Sequence, residues 1–303
     1  RDPAEQNKYL TAQLRDYHAQ GYAYEQMAIL FRTNLGIRFV MDALMKGGIP
    51  FHMKDAIPNL FAHWISLDII AYLRLVSGTG NTRANWLRIM NRPNRYIKRE
   101  ALAPFTSDIS VAQLKAYYQD KDWMLERLDR LEYDLSIMKR MSPYAAIHYL
   151  SNAMKYQDYL KDYAKEHHIN EQELLDVLNA VHESSQSCRT FAEWFTYIDT
   201  YTEELQKQAK SPASKDANNE SGVCLCTLHC AKGLEYPIVF IPDINEDNIP
   251  HARAAVDADL EEERRLFYVG ITRAKEHLHL YCVGEASGKE KFPSRFLEEL
   301  NEM

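Results

Sequence analysis

The residues best placed to do chemistry in this chain are two arginines on short polar turns. Arg273 stands near the end of the run Glu263-Arg264-Arg265-Leu266-Phe267-Tyr268-Val269-Gly270-Ile271-Thr272-Arg273-Ala274-Lys275, just behind an apolar stretch. Arg32 follows a second apolar stretch, in Ala28-Ile29-Leu30-Phe31-Arg32-Thr33-Asn34. A guanidinium is planar and permanently charged, and its forked N–H donors match phosphate oxygens. Phosphoryl transfer is catalysed mainly by positive charge placed where negative charge develops. Both residues are therefore candidate ligands of a γ-phosphate. A third block, Thr227-Leu228-His229-Cys230-Ala231-Lys232-Gly233-Leu234-Glu235-Tyr236-Pro237, gathers a hydroxyl, an imidazole, an ammonium and a glycine. A lone loop arginine is ordinarily a surface ion-pair partner; it is the company these two keep that points to phosphate.

The elements that must hold these loops fall into three regions. In residues 1–103, positions 4–20 have the pattern of an amphipathic helix, and Met27–Phe31 is a short apolar run suited to a buried strand. Ile37, Val40, Met41, Leu44 and Met45 then recur at helical spacing before Gly47-Gly48 ends the helix and Ile49-Pro50-Phe51 starts an extended piece. Ile65, Ile69, Leu73 and Val76 repeat the helical pattern. Residues 104–218 are almost free of glycine, and their apolar spacing predicts a wholly helical region. There Tyr149, Tyr156, Tyr159 and Tyr163 form a stripe that reads as helix packing rather than a base-stacking platform. The polar segment 211–222 reads as a linker. In residues 219–303, Val223–Thr227 and Ile238–Ile241 are continuous apolar runs of the kind found in parallel sheets covered on both faces. A helix is predicted over 260–269, opening with acids and pairing Glu261 with Arg265, and a strand over His277–Val283. The expectation is an α/β fold split in sequence by a helical insertion, with its chemistry on loops at the strand ends.

Composition narrows the function classes. With 303 residues, 46% hydrophobic and 26% charged, the chain has room for one large or two ordinary domains. No apolar run approaches the roughly 18–20 residues of a membrane helix, and no signal-peptide pattern opens the chain. The start at Arg1-Asp2-Pro3 suggests a piece of a longer protein. The five cysteines (188, 224, 226, 230 and 282) fit a reduced, cytoplasmic protein. Cys224, Cys226, His229 and Cys230 are crowded, but no downstream pair completes a four-ligand set, so no metal site is expected. The net charge of −7 argues against a uniformly basic nucleic-acid binder. However, Arg74, Arg83, Arg88, Arg92, Arg95, Lys98 and Arg99 form a stretch without an acid, suited to local contact with a phosphate backbone.

Taken together, these blocks resemble the late signature motifs of UvrD/Rep-type superfamily 1 DNA helicases. Ala28–Asn34 is similar to motif IV, Thr227–Pro237 to motif V and Glu262–Lys275 to motif VI. Asn248-Ile249-Pro250-His251 resembles the family's (F/I)PH segment, and Pro293-Ser294-Arg295-Phe296-Leu297 its closing PSRFL. The resemblance implies a RecA-like, P-loop NTPase-type domain 2A made of residues 1–103 and 219–303, interrupted by a helical accessory domain 2B over 104–218. It implies that Arg32 and Arg273 reach the γ-phosphate of ATP, that Phe31 stacks on the adenine, and that Glu235 bonds the ribose beside Gly233. Thr227, His229, Lys232 and His251 would lie along the single-stranded DNA track. Arg95 and Lys98 would face duplex at a single-strand/double-strand junction.

The chain departs from that family in several places. Where a glycine-rich turn usually touches duplex DNA, it reads Pro93-Asn94-Arg95-Tyr96-Ile97-Lys98, without the glycines that permit close backbone approach. Leu60-Phe61-Ala62-His63-Trp64-Ile65 lacks the basic pattern expected there, and the insertion is short. No phosphate-cradling G-x-x-x-x-G-K-[ST] is present; Gly284-Glu285-Ala286-Ser287-Gly288-Lys289-Glu290 is one residue short and ends in Glu where the hydroxyl belongs. ATP and Mg²⁺ would thus be held mainly by an N-terminal motor half, and this chain alone is expected not to hydrolyse ATP. The resemblance implies an ATP-dependent 3′–5′ DNA helicase with DNA-repair partners and no membrane association. Two alternatives stay open: a non-catalytic DNA- or protein-binding module, and a helicase subunit of a helicase–nuclease complex.

Overall fold

The computed structural model describes residues 2–54, 58–79, 82–105, 109–210, 222–252, 254, 257–286 and 289–302. The chain divides into two compact units, one of residues Arg1–Pro58 with Leu205–Met303, the other of Asn59–Glu204.

The first unit is built on a five-stranded sheet in which every pairing is parallel. Its strands are β1 (Met27–Phe31), β2 (Phe51–Met53), β3 (Val223–Thr227), β4 (Tyr236–Ile241) and β5 (Ala274–Leu280), in the spatial order β2-β3-β1-β4-β5. β1 sits at the centre with all five residues buried, which is why its sequence is continuously apolar rather than alternating. It registers with Cys224–Thr227 on one side and Ile238–Phe240 on the other. Helix α1 (Pro3–Ala19) precedes the sheet, and Gln6 of this helix exchanges hydrogen bonds with Asp243, just past β4. Helix α2 (Asn34–Gly47) links β1 to β2 and stops where expected. Gly48 adopts a left-handed φ of 62°, and the N–H groups of Gly48 and Ile49 donate to Met45 and Leu44. Gly222 leads into β3 so close to the chain at Pro50 that a Cβ would lie 2.4 Å from the Pro50 carbonyl carbon.

The second unit interrupts this sheet in sequence between β2 and β3. Its helices are α3 (Trp64–Ser77), α4 (Thr82–Ile89), α5 (Val111–Tyr117), α6 (Asp122–Met138), α7 (Pro143–Asn152), α8 (Tyr156–His167), α9 (Glu171–Ser184) and α10 (Phe191–Lys210), the last of which runs back into the first unit. The sequence boundary at 103/104 moves to 58/59. The reason is packing: α3 lies against α4, α6, α7 and α9, so its apolar face serves the helical core and not the sheet. Buried Asp68 on α3 ties that core together, at 2.7 Å from Arg92 Nη1, 3.0 Å from Arg88 Nε and 2.9 Å from the Tyr156 hydroxyl. The tyrosine stripe is broken in two, because Lys155 has a left-handed φ of 61° between α7 and α8. Tyr149 therefore lies on one helix, and the other three tyrosines on the next. Of the expected linker over 211–222, residues 211–221 lie outside the described residues.

The chain re-enters the sheet through β3. A helix-free segment, Leu228–Glu235, joins β3 to β4, and α11 (Asp257–Ile271) joins β4 to β5. Beyond β5 come the hairpin β6 (Glu285–Ala286) and β7 (Lys289–Glu290), then α12 (Arg295–Glu302). Within the Gly284–Glu290 string, Glu285-Ala286 pairs antiparallel with Lys289-Glu290, which is not the strand-to-helix geometry of a phosphate turn. The core on one sheet face gathers Ala28, Leu30, Cys224, Cys226, Val239 and Ile241 against Leu228, Ala231, Leu266, Phe267 and Phe296.

Candidate functional site

The apolar face of α11 sets the site. Glu263, Leu266, Phe267 and Gly270 are its buried residues, spaced at three and four along one stripe. Gly270 lies so close to the β3–β4 segment that a Cβ there would come within 2.4 Å of Leu228 Cδ2 and 3.2 Å of Ile241 Cδ1. Glycine is needed here to let the helix approach.

Arg273 reinforces this contact. It stands two residues past the end of α11, and its Nε donates to Val269 O at 2.8 Å, capping one of the helix's terminal carbonyls. Nη1 donates to Leu234 O at 3.0 Å and Nη2 to Thr272 Oγ1 at 3.0 Å. The Tyr236 N–H donates to Arg273 O at 2.9 Å, and Lys275 Nζ lies 3.0 Å from Glu235 Oε2. The two sequence blocks, 227–237 and 263–275, therefore form one hydrogen-bonded assembly.

Arg32 is held differently. Its Nε and Nη2 fork onto the Glu263 carboxylate at 2.5–3.2 Å, and Glu263 Oε2 also accepts from the His251 backbone N–H at 3.1 Å. Burial acts to raise the Glu263 carboxyl, but the Arg32 fork and the His251 N–H outweigh it and hold it below the usual glutamate range. Arg32 and Arg273 are not brought together. Eight residues of helix, about 12 Å at 1.5 Å per residue, separate Glu263 from Ile271 at the end of α11.

The other expected residues are placed as follows. Phe31 is 2% exposed with its ring against Gly36, so a base could meet it only after the ring had turned outward. Gly233 has a left-handed φ of 85° and open space where a Cβ would stand, and Glu235 is engaged with Lys275. Thr227 ends β3, and its hydroxyl accepts from the Cys230 N–H; His229 and Lys232 are exposed on the following turns. In the helical unit, Arg95 turns inward: its Nη1 donates to the carbonyls of Ile89 and Pro93, and its guanidinium lies over the Tyr72 ring. Lys98 has an exposed side chain, while its backbone N–H donates to the Tyr118 hydroxyl at 2.7 Å. The expected Glu261–Arg265 pair is replaced by pairs three apart, Arg264 with Glu261 and Arg265 with Glu262. Arg264 also bridges to Glu299 of α12.

The residue that sequence reasoning missed is Glu263. In the sequence the acids at the start of α11 read only as the opening of a helix, where they complement its dipole. Glu263, however, falls on the same stripe as Leu266, Phe267 and Gly270, and a carboxylate on an apolar face is the signal that it needs a cation. Among the described residues, no group of three His, Cys, Asp or Glu side chains is positioned to hold a metal ion. None of their helices is long and apolar enough to cross a membrane.

Comparison with known proteins gives a consistent picture. The family described as the UvrD-like helicase C-terminal domain matches residues 2–284. YjcD of Bacillus subtilis (strain 168) is 28% identical over 311 residues, covering 99% of this chain and 39% of that protein. The ATP-dependent DNA helicase PcrA of Staphylococcus epidermidis (strain RP62A) is 28% identical over 327 residues, covering all of this chain and 43% of PcrA. PcrA of Staphylococcus aureus (strain Mu50) matches to the same extent. The chain thus spans about two fifths of the length of these curated relatives.

Proposed function

Since the chain belongs to the UvrD-like helicase C-terminal domain family, we propose that it is the second motor half of an ATP-dependent DNA helicase that moves 3′ to 5′ on single-stranded DNA. It supplies one wall of an ATP cleft whose other wall, with the phosphate cradle, belongs to an upstream half of the same polypeptide. The observation that carries this reading is the joint between the two sequence blocks, with Arg273 Nη1 on Leu234 O and Gly270 against Leu228. A cation that answers to a phosphate is thereby wired to the loop bearing Thr227, His229 and Lys232.

Arg273 meets the developing charge on the γ-phosphate. Its bonds to carbonyl and hydroxyl oxygens leave its positive charge uncancelled for an arriving anion. Arg32, on the same half but apart from Arg273, adds a second cation that meets the nucleotide only as the two halves close. Glu235 and Gly233 flank the sugar, and Phe31 turns out to cover the base. Nucleotide binding shifts Arg273, and with it the Leu234 end of the loop, so closure and release are felt along Thr227, His229, Lys232 and the His251 segment, where single-stranded DNA lies. Arg95 and Lys98 approach duplex at a junction. The described residues offer no cluster fit for Mg²⁺, which belongs with the upstream half. The setting is cytoplasmic, and the task is DNA maintenance such as repair.

The test is ATP hydrolysis with and without single-stranded DNA, for this chain alone and joined to its native upstream half. Turnover confined to the joined form and removed by Arg273→Ala is the expected result. DNA binding without turnover in the joined form would leave a non-catalytic binding module instead.

A further inference from the structure

Three exposed side chains of the helical unit stack on one another outside its core. The Arg127 guanidinium on α6 lies 5.0 Å from the Tyr96 ring centroid and 5.1 Å from that of Trp123, one turn earlier on the same helix. Tyr96 is 60% exposed and Trp123 50%. Among the described residues Arg127 has no carboxylate partner, so two ring faces hold its charge without offsetting it. The loop that carries Tyr96 turns it outward. Its backbone is left-handed, with φ 61°, a setting that a residue with a Cβ adopts only at a cost. Two asparagine side chains hold it there: Asn94 Oδ1 accepts from the Tyr96 N–H at 3.0 Å, and Asn91 Oδ1 accepts from the N–H groups of Arg95 and Ile97. The residues on either side face inward, Ile97 at 2% exposure and Arg95 on the carbonyls of Ile89 and Pro93. Lys98 and Lys121, both exposed, meet at the Tyr118 phenol near this stack. The Lys98 N–H donates to the Tyr118 hydroxyl, and Lys121 Nζ lies 6.0 Å from the ring centroid.

We propose that Tyr96, Arg127 and Trp123 form a stacking site for an unpaired base of single-stranded DNA, with Lys98 and Lys121 beside it for the phosphates. A nucleotide joins a planar ring to an anion, and this surface offers the complement of each: open ring faces and cations. Every base has a π face, so the site is tolerant of sequence. A paired base is already covered by its neighbours, so a duplex brings only its backbone here. Asp120, Asp122 and Glu126 lie in the same stretch and temper its positive charge. Stacking rather than charge therefore carries the contact, and its dependence on salt is shallow. Exposed Trp, Tyr and Arg also serve as anchors in protein interfaces; the three cations favour an anionic polymer. The inference rests on the proposed function in taking that polymer to be DNA, but it needs no ATP turnover.

The test is binding, without ATP, of three labelled oligomers of one length to the joined form: single-stranded DNA, its abasic counterpart and a duplex. Trp123→Ala and Tyr96→Asn are each expected to weaken binding of the base-bearing strand by about 5- to 150-fold, the scale of one base–aromatic stack. Binding of the abasic strand and of the duplex is expected to stay unchanged. Asparagine suits position 96 because it tolerates the left-handed backbone. Both side chains are exposed, so neither substitution opens the core. Trp123→Phe keeps a ring and is expected to restore most of the affinity. Equal losses on the abasic and base-bearing strands would overturn the stacking site. So would no loss on either, which leaves the rings to a protein partner. ATP hydrolysis of the same samples separates this site from the motor. A wild type that turns over no ATP yet shows the base-dependent loss in its variants sinks the motor and keeps the site; turnover without that loss does the reverse.

Discussion

Arg273 in the α/β unit and Arg92 in the helical unit are both anchored arginines, yet they are anchored in opposite ways. Among the described residues, Arg273 bonds only to oxygens that carry no formal charge: two carbonyls and a hydroxyl. Arg92 lies 2.7 Å from Asp68, a carboxylate with no exposed side-chain surface that Arg88 and Tyr156 also approach. A guanidinium held by dipoles keeps its charge for an incoming anion, whereas one held by a carboxylate has that charge offset and serves the core. Arg95 follows the first pattern, with the carbonyls of Ile89 and Pro93. Arg32 stands between the two, positioned by Glu263 but still 17% exposed. On the proposed function, what holds an arginine thus separates one kept for a ligand from one that serves the fold.

The largest effect that would break this contrast is at Arg273. Arg273→Ala is expected to lower DNA-stimulated ATP hydrolysis of the joined form by about 10³-fold or more, the scale of an arginine finger. Its stability, read by urea unfolding, should fall by only about 1 kcal/mol for the lost carbonyl bonds. Tyr156→Phe should do the reverse. Removing the hydroxyl from Asp68 is expected to cost about 1.5–3 kcal/mol of stability, the range for a hydrogen bond to a charged group, and to leave turnover per folded molecule unchanged. A smaller loss, of about 1–2 kcal/mol, is expected for Gly270→Ala, because Leu228 must give way to the new methyl group. Its diagnostic readout is a weaker stimulation of ATP hydrolysis by DNA.

The smallest effect is a matter of sign. The Glu263 carboxyl is lowered from its ordinary 4.5, so its contribution to stability is present above that value and lost as pH falls through the lowered one. Asp68 is raised from its ordinary 3.8, because burial outweighs Arg92, Tyr156 and Arg88. Its contribution is therefore fully present below 3.8 and is lost as pH rises through the raised value. Acid unfolding curves should show the wild-type advantage over Glu263→Gln shrinking as pH falls, and the advantage over Asp68→Asn growing. Parallel slopes for the two variants would remove the electrostatic part of the comparison.

Much of the α/β unit was legible in the sequence because its signals are local. Continuous apolar runs marked β1, β3 and β4, the spacing from Ile37 to Met45 marked α2, and Gly48 marked its end. The family followed from ordered blocks of residues. The unit boundary was harder, since α3 reads as an amphipathic helix whichever core its face meets, and only packing against α6, α7 and α9 assigns it. The tyrosine stripe misled because periodicity continues across Lys155, where the backbone turns left-handed.

The sequence by itself determined most of the strands, helices and connecting loops, because hydrophobic period and turn chemistry act over a few neighbouring positions. Only the tertiary structure decided which charges are spent and which are kept. Arg32 and Glu263 are 231 positions apart, Arg273 and Leu234 39, and Asp68 and Tyr156 88. No local pattern specifies such pairs; burial of each polar group beside one partner and not another creates them.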